Sequence, residues 1–146
     1  EKLGPPGTLD KGEQATLAAL SSRGLNFPEL VLGNGAGLSR DTRISAASLG
    51  RLLLAAHGSP IQPEFQASLS IAGLDGTPRK RFLRDPVAGD MHLKTGTLNG
   101  VTSIAGFVHS ESGADYAVVM VVNGPKATWG GGLEAQNALL RWVHQR

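Results

Sequence analysis

Three segments of the chain place apolar residues three or four positions apart, the spacing of one helix face. The first runs from about 10 to 22, with a capping-box-like start at Asp10, and the second from an N-cap at Ser45 to Gly58. The third follows the glycines at 130–132. The apolar residues that carry the three periods are Ala15, Leu17, Ala18 and Leu20; Leu49, Leu52, Leu53 and Ala56; and Ala135, Leu139, Trp142 and Val143.

Two runs of β-branched and apolar residues predict strands over 102–109 and 115–123. Residues 103–108 are small or apolar throughout, which indicates a buried strand. Residues 116–122 are continuously apolar, which predicts a strand covered on both faces. A short lead-in to Lys94 predicts a third strand. Three strands backed by the last helix predict an α+β fold with an antiparallel sheet flanked by helices.

The remaining segments have weaker patterns. Residues 30–32 predict a strand or extended segment, and residues 61–72 predict one or two helical turns followed by a loop. Residues 75–78 (Asp-Gly-Thr-Pro) predict a turn. Residues 79–90 are polar and interrupted by proline and glycine, so we expect irregular structure there.

Composition limits the classes of function. A chain of 146 residues with 40% apolar and 18% charged residues fits one soluble domain with a core. No apolar run approaches the ~20 residues that span a bilayer. The chain lacks cysteine, which excludes disulfides and thiolate chemistry. It begins at Glu1 rather than at methionine, so we expect a mature form or a fragment.

The net charge and the placement of the histidines argue against a nucleic-acid partner, a metal site and a cofactor. The net charge is only +2 and seven residues are aromatic, so we expect no nucleic-acid partner. The basic cluster at 79–84 favours a solvated loop over contact with an anionic polymer or a membrane surface. The four histidines show no ligand spacing, and we expect each at a surface or an interface: His57, His92, His109 and His144.

The glycine-rich segment 33–41 (Gly-Asn-Gly-Ala-Gly-Leu-Ser-Arg-Asp) predicts positive φ angles or a close backbone approach. An ordinary turn is the alternative. The segment lacks the Gly-Lys-Ser/Thr ending of a nucleotide-binding loop, so a nucleotide site is not expected.

The segment with the most specific chemistry is Lys94-Thr95-Gly96-Thr97, followed by an Asn99-Gly100 turn. Lys94 offers a fixed positive charge and Thr95 a hydroxyl donor for a substrate carboxylate. Gly96 permits close approach of another chain, and the N–H of Thr97 suits an oxyanion. A peptide substrate would pair along this strand. Each residue also has an ordinary explanation: a solvated lysine, a strand-forming threonine, a glycine at a β-bulge.

Four motifs in order make the chain resemble the C-terminal part of the class C low-molecular-mass penicillin-binding proteins. They are residues 34–40 (Asn-Gly-Ala-Gly-Leu-Ser-Arg), 74–77 (Leu-Asp-Gly-Thr), 94–101 (Lys-Thr-Gly-Thr-Leu-Asn-Gly-Val) and 104–107 (Ile-Ala-Gly-Phe). The resemblance implies a penicillin-binding, β-lactamase-like transpeptidase fold. It also implies a serine-type D-Ala-D-Ala carboxypeptidase/endopeptidase of the periplasm or cell envelope, which binds peptidoglycan stem peptides and β-lactams.

The same resemblance implies roles for particular residues. Lys94, Thr95 and Gly96 would form the catalytic Lys-Thr-Gly element, and Thr97 would supply an oxyanion N–H. Arg40 and Asn99 would line the pocket for the stem-peptide side chain.

The sequence departs from the family pattern in two ways. Ala36 stands where the family usually has serine, and Asn34 where aspartate is common. More seriously, no Ser-x-x-Lys and no Ser-x-Asn occurs in the chain, so the nucleophile and its base are missing. We therefore expect residues 1–146 to be the C-terminal portion of the transpeptidase domain, inactive without the N-terminal portion. The alternative is a non-catalytic module that binds peptidoglycan peptides.

Overall fold

The computed structural model describes residues 4–146 and divides into two compact units between Ser48 and Leu49. In the first unit, helix α1 spans Leu9–Ser21. Thr8 is its N-cap, and the Thr8 side chain accepts a hydrogen bond from the N–H of Lys11 at 3.2 Å. The helix thus begins slightly before the predicted segment, and its cap is Thr8 rather than Asp10.

The rest of the first unit is largely irregular. Residues 30–32, predicted as a strand or an extended segment, include Val31, which forms one isolated antiparallel bridge with Arg43. Its two backbone hydrogen bonds measure 2.9 and 3.0 Å. Among residues 4–48, two apolar side chains are buried, Leu25 and Phe27.

Helix α2 spans Ala46–His57, and its start is held by side chains of the first unit. The Oγ of Ser45 accepts a hydrogen bond from the N–H of Ser48 at 3.0 Å, which confirms the predicted N-cap. The same hydroxyl donates to Oε1 of Glu29 at 2.6 Å. Side-chain hydrogen bonds from Ser45 and then Ser48 lower the pKa of the Glu29 carboxyl to about 2.

The second unit contains a four-stranded antiparallel sheet in the order β1-β2-β3-β4. A 3₁₀ turn covers Thr77–Arg79. The other elements are α3 (Gln62–Ala67), β1 (Ser70–Ile71), β2 (Met91–Leu98), β3 (Val101–His109), β4 (Asp115–Asn123) and α4 (Gly132–His144). The predicted strands and the last helix are confirmed.

Helices pack on both faces of the sheet, because successive side chains along a strand point to opposite faces. Toward α4, the sheet and helix bury one apolar cluster that includes Met91, Leu93, Ile104 and Leu140. On the opposite face, the ring of Phe107 lies near one aromatic ring of α2 and one of α3. The ring centroid of Phe107 lies 5.6 Å from that of His57 and 6.2 Å from that of Phe65.

Three local predictions are wrong. Residues 70–71 form the short strand β1 where a loop was expected. Val121 of β4 is 38% exposed, so residues 4–146 do not cover β4 on both faces. In the basic cluster, Arg81 is not a solvated side chain: it donates to two side chains of α4, and burial lowers its pKa.

Candidate functional site

Strand β2 delivers Lys94 to a surface because its residues alternate between core and solvent. Met91 is 0% exposed and Leu93 is 1% exposed, and both belong to the core under α4. Lys94 leaves the strand on the opposite face and is exposed. Its Nζ donates to the backbone oxygen of Thr95 at 2.6 Å.

The edge of β2 is covered by another strand only at its beginning. Strand β1 pairs with residues 92–93 and ends there. The N–H of Ala72 donates to the oxygen of Met91 at 2.9 Å, so the odd-numbered Met91 aims its carbonyl at the β1 side. From Lys94 onward, no strand among residues 4–146 pairs with β2 on this side.

The direction of the backbone groups beyond that point follows from the alternation of an antiparallel ladder. On the other side of β2, the N–H of His109 donates to the oxygen of Asp90 at 2.8 Å, so even-numbered residues aim at β3. The odd-numbered Thr95 and Thr97 must therefore aim their N–H and C=O groups at the uncovered edge. The hydrogen bond from Lys94 to the Thr95 oxygen agrees with this, since that oxygen has no strand partner.

Gly96 lies on the same sheet face as Lys94, directly across from Ser103. A Cβ at position 96 would lie 2.5 Å from the Oγ of Ser103, so the space above the glycine belongs to that hydroxyl. The β2–β3 register runs without interruption from Met91 to Leu98, so the alternative of a β-bulge at Gly96 is wrong. Within this chain, the group that lies close to Gly96 is the Ser103 hydroxyl, and the approach of another chain stays a prediction.

Thr95 leaves the strand on the other face. It pairs with Ile104, which is 1% exposed and part of the core under α4. Because adjacent strand residues point to opposite faces, the side chains of Lys94 and Thr95 share no face of the sheet. They can meet one ligand only around the open edge of β2.

Thr97 and Asn99 lie at the far end of the strand. Thr97 is exposed and pairs across the hairpin with Thr102. The hairpin closes through the pair Leu98–Val101, so Asn99 and Gly100 form the two-residue turn that the sequence predicted. Gly100 has a φ of 79°, which favours glycine at this position.

Arg40 belongs to the first unit, in the glycine-rich segment, and is exposed. Two of the three glycines have the predicted reason. Gly37 has a φ of 71°, and a Cβ on Gly33 would lie 2.0 Å from the Oγ of Ser39. The N–H of Ala36 donates to Oδ1 of Asn34 at 2.9 Å, which tightens the turn.

The described residues hold no group of three or more His, Cys, Asp or Glu side chains placed for a metal ion. One histidine differs from the prediction: His144 is buried, and its Nε2 lies 2.9 Å from Oδ2 of Asp90. Across residues 4–146, no helix is long and apolar enough to cross a bilayer.

The sequence predicts that a peptide pairs along this strand, but it does not show which backbone groups face the open edge. The sequence marks Thr95 and Thr97 as strand residues, but their outward direction depends on where β1 ends and on the register with β3. A two-residue strand such as Ser70–Ile71 leaves no periodic signal.

One protein-family model matches the chain over its whole length. The family model described as "D-Ala-D-Ala carboxypeptidase 3 (S13) family" matches residues 1–146. The chain is 35% identical over 123 residues to the D-alanyl-D-alanine carboxypeptidase of Actinomadura sp. strain R39, covering 81% of the chain and 23% of that protein. It is 32% identical over 147 residues to carboxypeptidase DacB of Mycolicibacterium smegmatis, covering 97% of the chain and 32% of that protein.

Solved structures confirm the predicted fold. Penicillin binding protein 4 (dacB) from Haemophilus influenzae superposes with a TM-score of 0.87 at 25% identity, over 97% of the chain and 33% of that structure. The same protein complexed with a β-lactam gives a TM-score of 0.85, also at 25% identity, over 97% of the chain and 35% of that structure. A class A β-lactamase from Bacteroides cellulosilyticus shares the fold at a TM-score of 0.60 and 19% identity, over 96% of the chain and 56% of that structure.

The chain therefore spans about a third or less of the carboxypeptidases that it matches. The resemblance seen in the sequence is confirmed by the family match and by these structures. The chain belongs to the D-Ala-D-Ala carboxypeptidase 3 (S13) family.

Proposed function

We propose that this chain forms the Lys-Thr-Gly wall of the active site of a serine-type D-Ala-D-Ala carboxypeptidase/endopeptidase. The observation that carries the proposal is the open edge of β2, where Lys94 stands beside the outward-facing backbone groups of Thr95 and Thr97. Its substrates would be peptidoglycan stem peptides, and its inhibitors β-lactams. The β-lactam complex of the Haemophilus influenzae protein supports this ligand class.

The open edge suits an extended peptide. At this edge, Thr95 and Thr97 each present a backbone N–H donor and a C=O acceptor. These groups can pair with a peptide strand that lies antiparallel to β2. The substrate carbonyl would then accept a hydrogen bond from the N–H of Thr97, and this bond strengthens as the oxygen becomes an anion. The Lys94 ammonium, released from the Thr95 oxygen, would pair with the terminal carboxylate.

The proposed reaction has two acyl transfers. A serine hydroxyl attacks the carbonyl carbon of the penultimate D-Ala, the C–N bond breaks, and the terminal D-Ala leaves with the proton that the serine lost. Water then attacks the acyl-serine ester, which releases the shortened peptide and restores the hydroxyl. With a D-Ala cross-link as substrate, the same steps give endopeptidase activity.

The serine and its base must come from elsewhere, because this chain contains no Ser-x-x-Lys. We place them on an N-terminal portion of the same enzyme, outside residues 1–146, so the chain alone is inactive. Arg40 and Asn99 would line the pocket for the stem-peptide side chain. As an enzyme of peptidoglycan, the protein would work in the periplasm or cell envelope.

Acylation by a fluorescent penicillin tests the proposal in the enzyme that contains this chain. Lys94→Ala removes the charge for the β-lactam carboxylate, so the acylation rate should fall by about 10²-fold or more, the scale of a lost transition-state contact. Lys80→Ala is the matched control, because Lys80 is an exposed lysine of the same unit that is not part of β2. Its rate should equal that of the unaltered enzyme.

Equal rates for Lys94→Ala and Lys80→Ala would contradict the proposal. Digestion of the labelled enzyme and mass spectrometry of its peptides locate the label, which should lie on a serine outside residues 1–146. Label on residues 1–146 would show that the nucleophile is in this chain and that its assignment elsewhere is wrong.

The lack of Ser-x-x-Lys also supports a second candidate, a non-catalytic module that binds peptidoglycan peptides. This candidate predicts that the chain alone binds a D-Ala-D-Ala peptide without hydrolysing it. Titration calorimetry with a diacetylated Lys-D-Ala-D-Ala peptide decides between the two. Binding by the isolated chain together with no penicillin labelling of any longer form would favour the module.

A further inference from the structure

A buried polar contact joins α4 to the sheet, next to the apolar cluster between them. Gln136 of α4 is 0% exposed and Thr102 of β3 is 1% exposed. Gln136 is one helical turn before the core residue Leu140, and Thr102 shares a sheet face with the core residue Ile104. The Nε2 of Gln136 donates to Oγ1 of Thr102 at 3.4 Å.

Arg81 holds the other end of the Gln136 amide. One guanidinium nitrogen, Nη2, donates to Oε1 of Gln136 at 3.2 Å. The same guanidinium donates to Oδ1 of Asn137 through Nε at 3.0 Å and Nη2 at 2.6 Å. Its carbon lies 5.5 Å from the ring centroid of Phe82, which keeps it at the edge of the core. The amide of Gln136 is thus fixed at both its oxygen and its nitrogen.

Stability alone does not explain a glutamine at this position. A buried, fully hydrogen-bonded amide makes a protein little more stable than apolar side chains of similar shape at both positions would. Removing only one of the two partners, however, lowers the stability, because the other polar group stays buried without a hydrogen bond. Polar contacts inside a core do fix one arrangement of the elements that they join.

The contact lies directly behind Thr97. Thr102 is the cross-strand partner of Thr97. The ladder alternation makes this a pair without mutual backbone hydrogen bonds, in which side chains come closest. Helix α4 also starts against Thr102: a Cβ on Gly132 would lie 2.9 Å from Cγ2 of Thr102. The position of Thr97 relative to α4 therefore depends on how Thr102 is held.

We propose that Gln136 and the Thr102 hydroxyl are positioning residues that aim the Thr97 N–H at the reacting carbonyl. They act through the β2–β3 pair and touch no substrate. This inference rests on the proposed function, because it assigns a partner to the donor that the proposed reaction uses. Arg81 holds Gln136 in place through its hydrogen bond and so contributes to the same positioning.

The test compares two changes in the enzyme that contains this chain. Thr102→Ser keeps the hydroxyl and loses the methyl group that packs on Gly132. The double change Thr102→Val with Gln136→Met removes both partners and keeps the packed volume. Replacing both partners by apolar groups is close to neutral for stability, because Arg81 loses one acceptor but keeps its two hydrogen bonds to Asn137. A lost buried methyl group lowers the stability. The melting temperature should therefore be higher for the double variant than for Thr102→Ser.

Acylation by fluorescent penicillin, resolved into a binding constant and a rate constant, should show the reverse order. The double variant should acylate about 10-fold more slowly with unchanged binding, less than the 10²–10³ cost of losing an oxyanion donor outright. Thr102→Ser should stay within about twofold of the unaltered enzyme, since its hydroxyl still accepts the Gln136 bond. Leu140→Met is the control for a core change one helical turn away, and it should leave the rate constant unchanged.

Rates that follow melting temperature in all three variants would overturn the inference, because a merely structural contact affects activity only through folding. A weakened binding constant with an unchanged rate constant would overturn it as well. If the unaltered enzyme is not acylated, or if Lys94→Ala acylates at the unaltered rate, the proposed function fails and this inference fails with it. A Lys94-sensitive enzyme with no Thr102 effect refutes only the positioning role.

Discussion

Gly106 lies at the centre of β3, directly across from Leu93, and its substitution tests the sheet packing behind Lys94. Its φ is 154°, a conformation that L side chains rarely adopt. A Cβ there would lie 2.0 Å from the backbone oxygen of His92 and 3.0 Å from Cα of Leu93. Both obstacles are backbone atoms, so no side-chain rotation relieves the contact. Gly106→Ala must push β2 and β3 apart.

The expected cost follows from these contacts. Backbone strain of this kind costs about 1–3 kcal/mol. Moving β2 also breaks or lengthens two or so ladder hydrogen bonds, each of about 0.5–1.5 kcal/mol. Together the free energy of unfolding should fall by about 2–6 kcal/mol.

Substitutions of two other glycines serve as controls. They show how much of the loss comes from the steric clash and how much from replacing a glycine by alanine. Gly113 has a φ of 83° with no atom within 4 Å of an added Cβ, so Gly113→Ala should cost only the strain of about 1–2 kcal/mol. Gly50 lies inside α2 with open space around its Cβ, so Gly50→Ala should stabilise by about 0.5–1 kcal/mol.

Urea unfolding followed by the fluorescence of Trp129 and Trp142 measures the three variants. Amide hydrogen exchange shows where the loss falls, which should be β2 and β3 for Gly106→Ala. A cost for Gly106→Ala equal to that of Gly113→Ala would refute the clash, and with it the close pairing of β2 and β3 beside Lys94.

Three further predictions concern single contacts. Glu29→Gln removes a carboxylate whose pKa is lowered to about 2, chiefly by the Ser45 hydrogen bond. Because the folded pKa is depressed, the stabilisation is present above about pH 4.5 and is lost as the pH falls toward 2, so urea midpoints of the two proteins should converge in acid. Gly96→Ala should slow acylation because its Cβ meets the Ser103 hydroxyl, and adding Ser103→Ala should restore the rate; additive losses in this cycle would contradict the contact. Thr8→Ala should destabilise α1 by about 1 kcal/mol in urea unfolding, whereas Thr8→Ser should not.

The main elements could be predicted from the sequence because each has a local cause. Helix α4 follows from apolar residues at helical spacing after a run of glycines, and its bounds are Gly132–His144. The β2–β3 hairpin follows from Asn99-Gly100 between two strand-forming runs. These signals lie within a few residues of the structure that they determine.

Other features depend on contacts between distant segments. Arg81 carries the same charge as its neighbours in the basic cluster. It differs from a solvated arginine only because α4 packs beside it and brings Gln136 and Asn137 within hydrogen-bond distance. His144 likewise meets Asp90 only in the folded unit. Because such residues have the same local sequence signal as solvated ones, no pattern distinguishes them.

At the candidate site, the sequence by itself determined the residue types: the Lys94-Thr95-Gly96 triplet, the Asn99-Gly100 turn, and the absence of Ser-x-x-Lys. The tertiary structure decided which groups meet. Pairing register placed Ser103 over Gly96, put Lys94 and Thr95 on opposite faces, and left the backbone of Thr95 and Thr97 at an open edge. The physical reason is that backbone direction alternates along a strand, so the function of each residue depends on which neighbouring strand is present and where it ends.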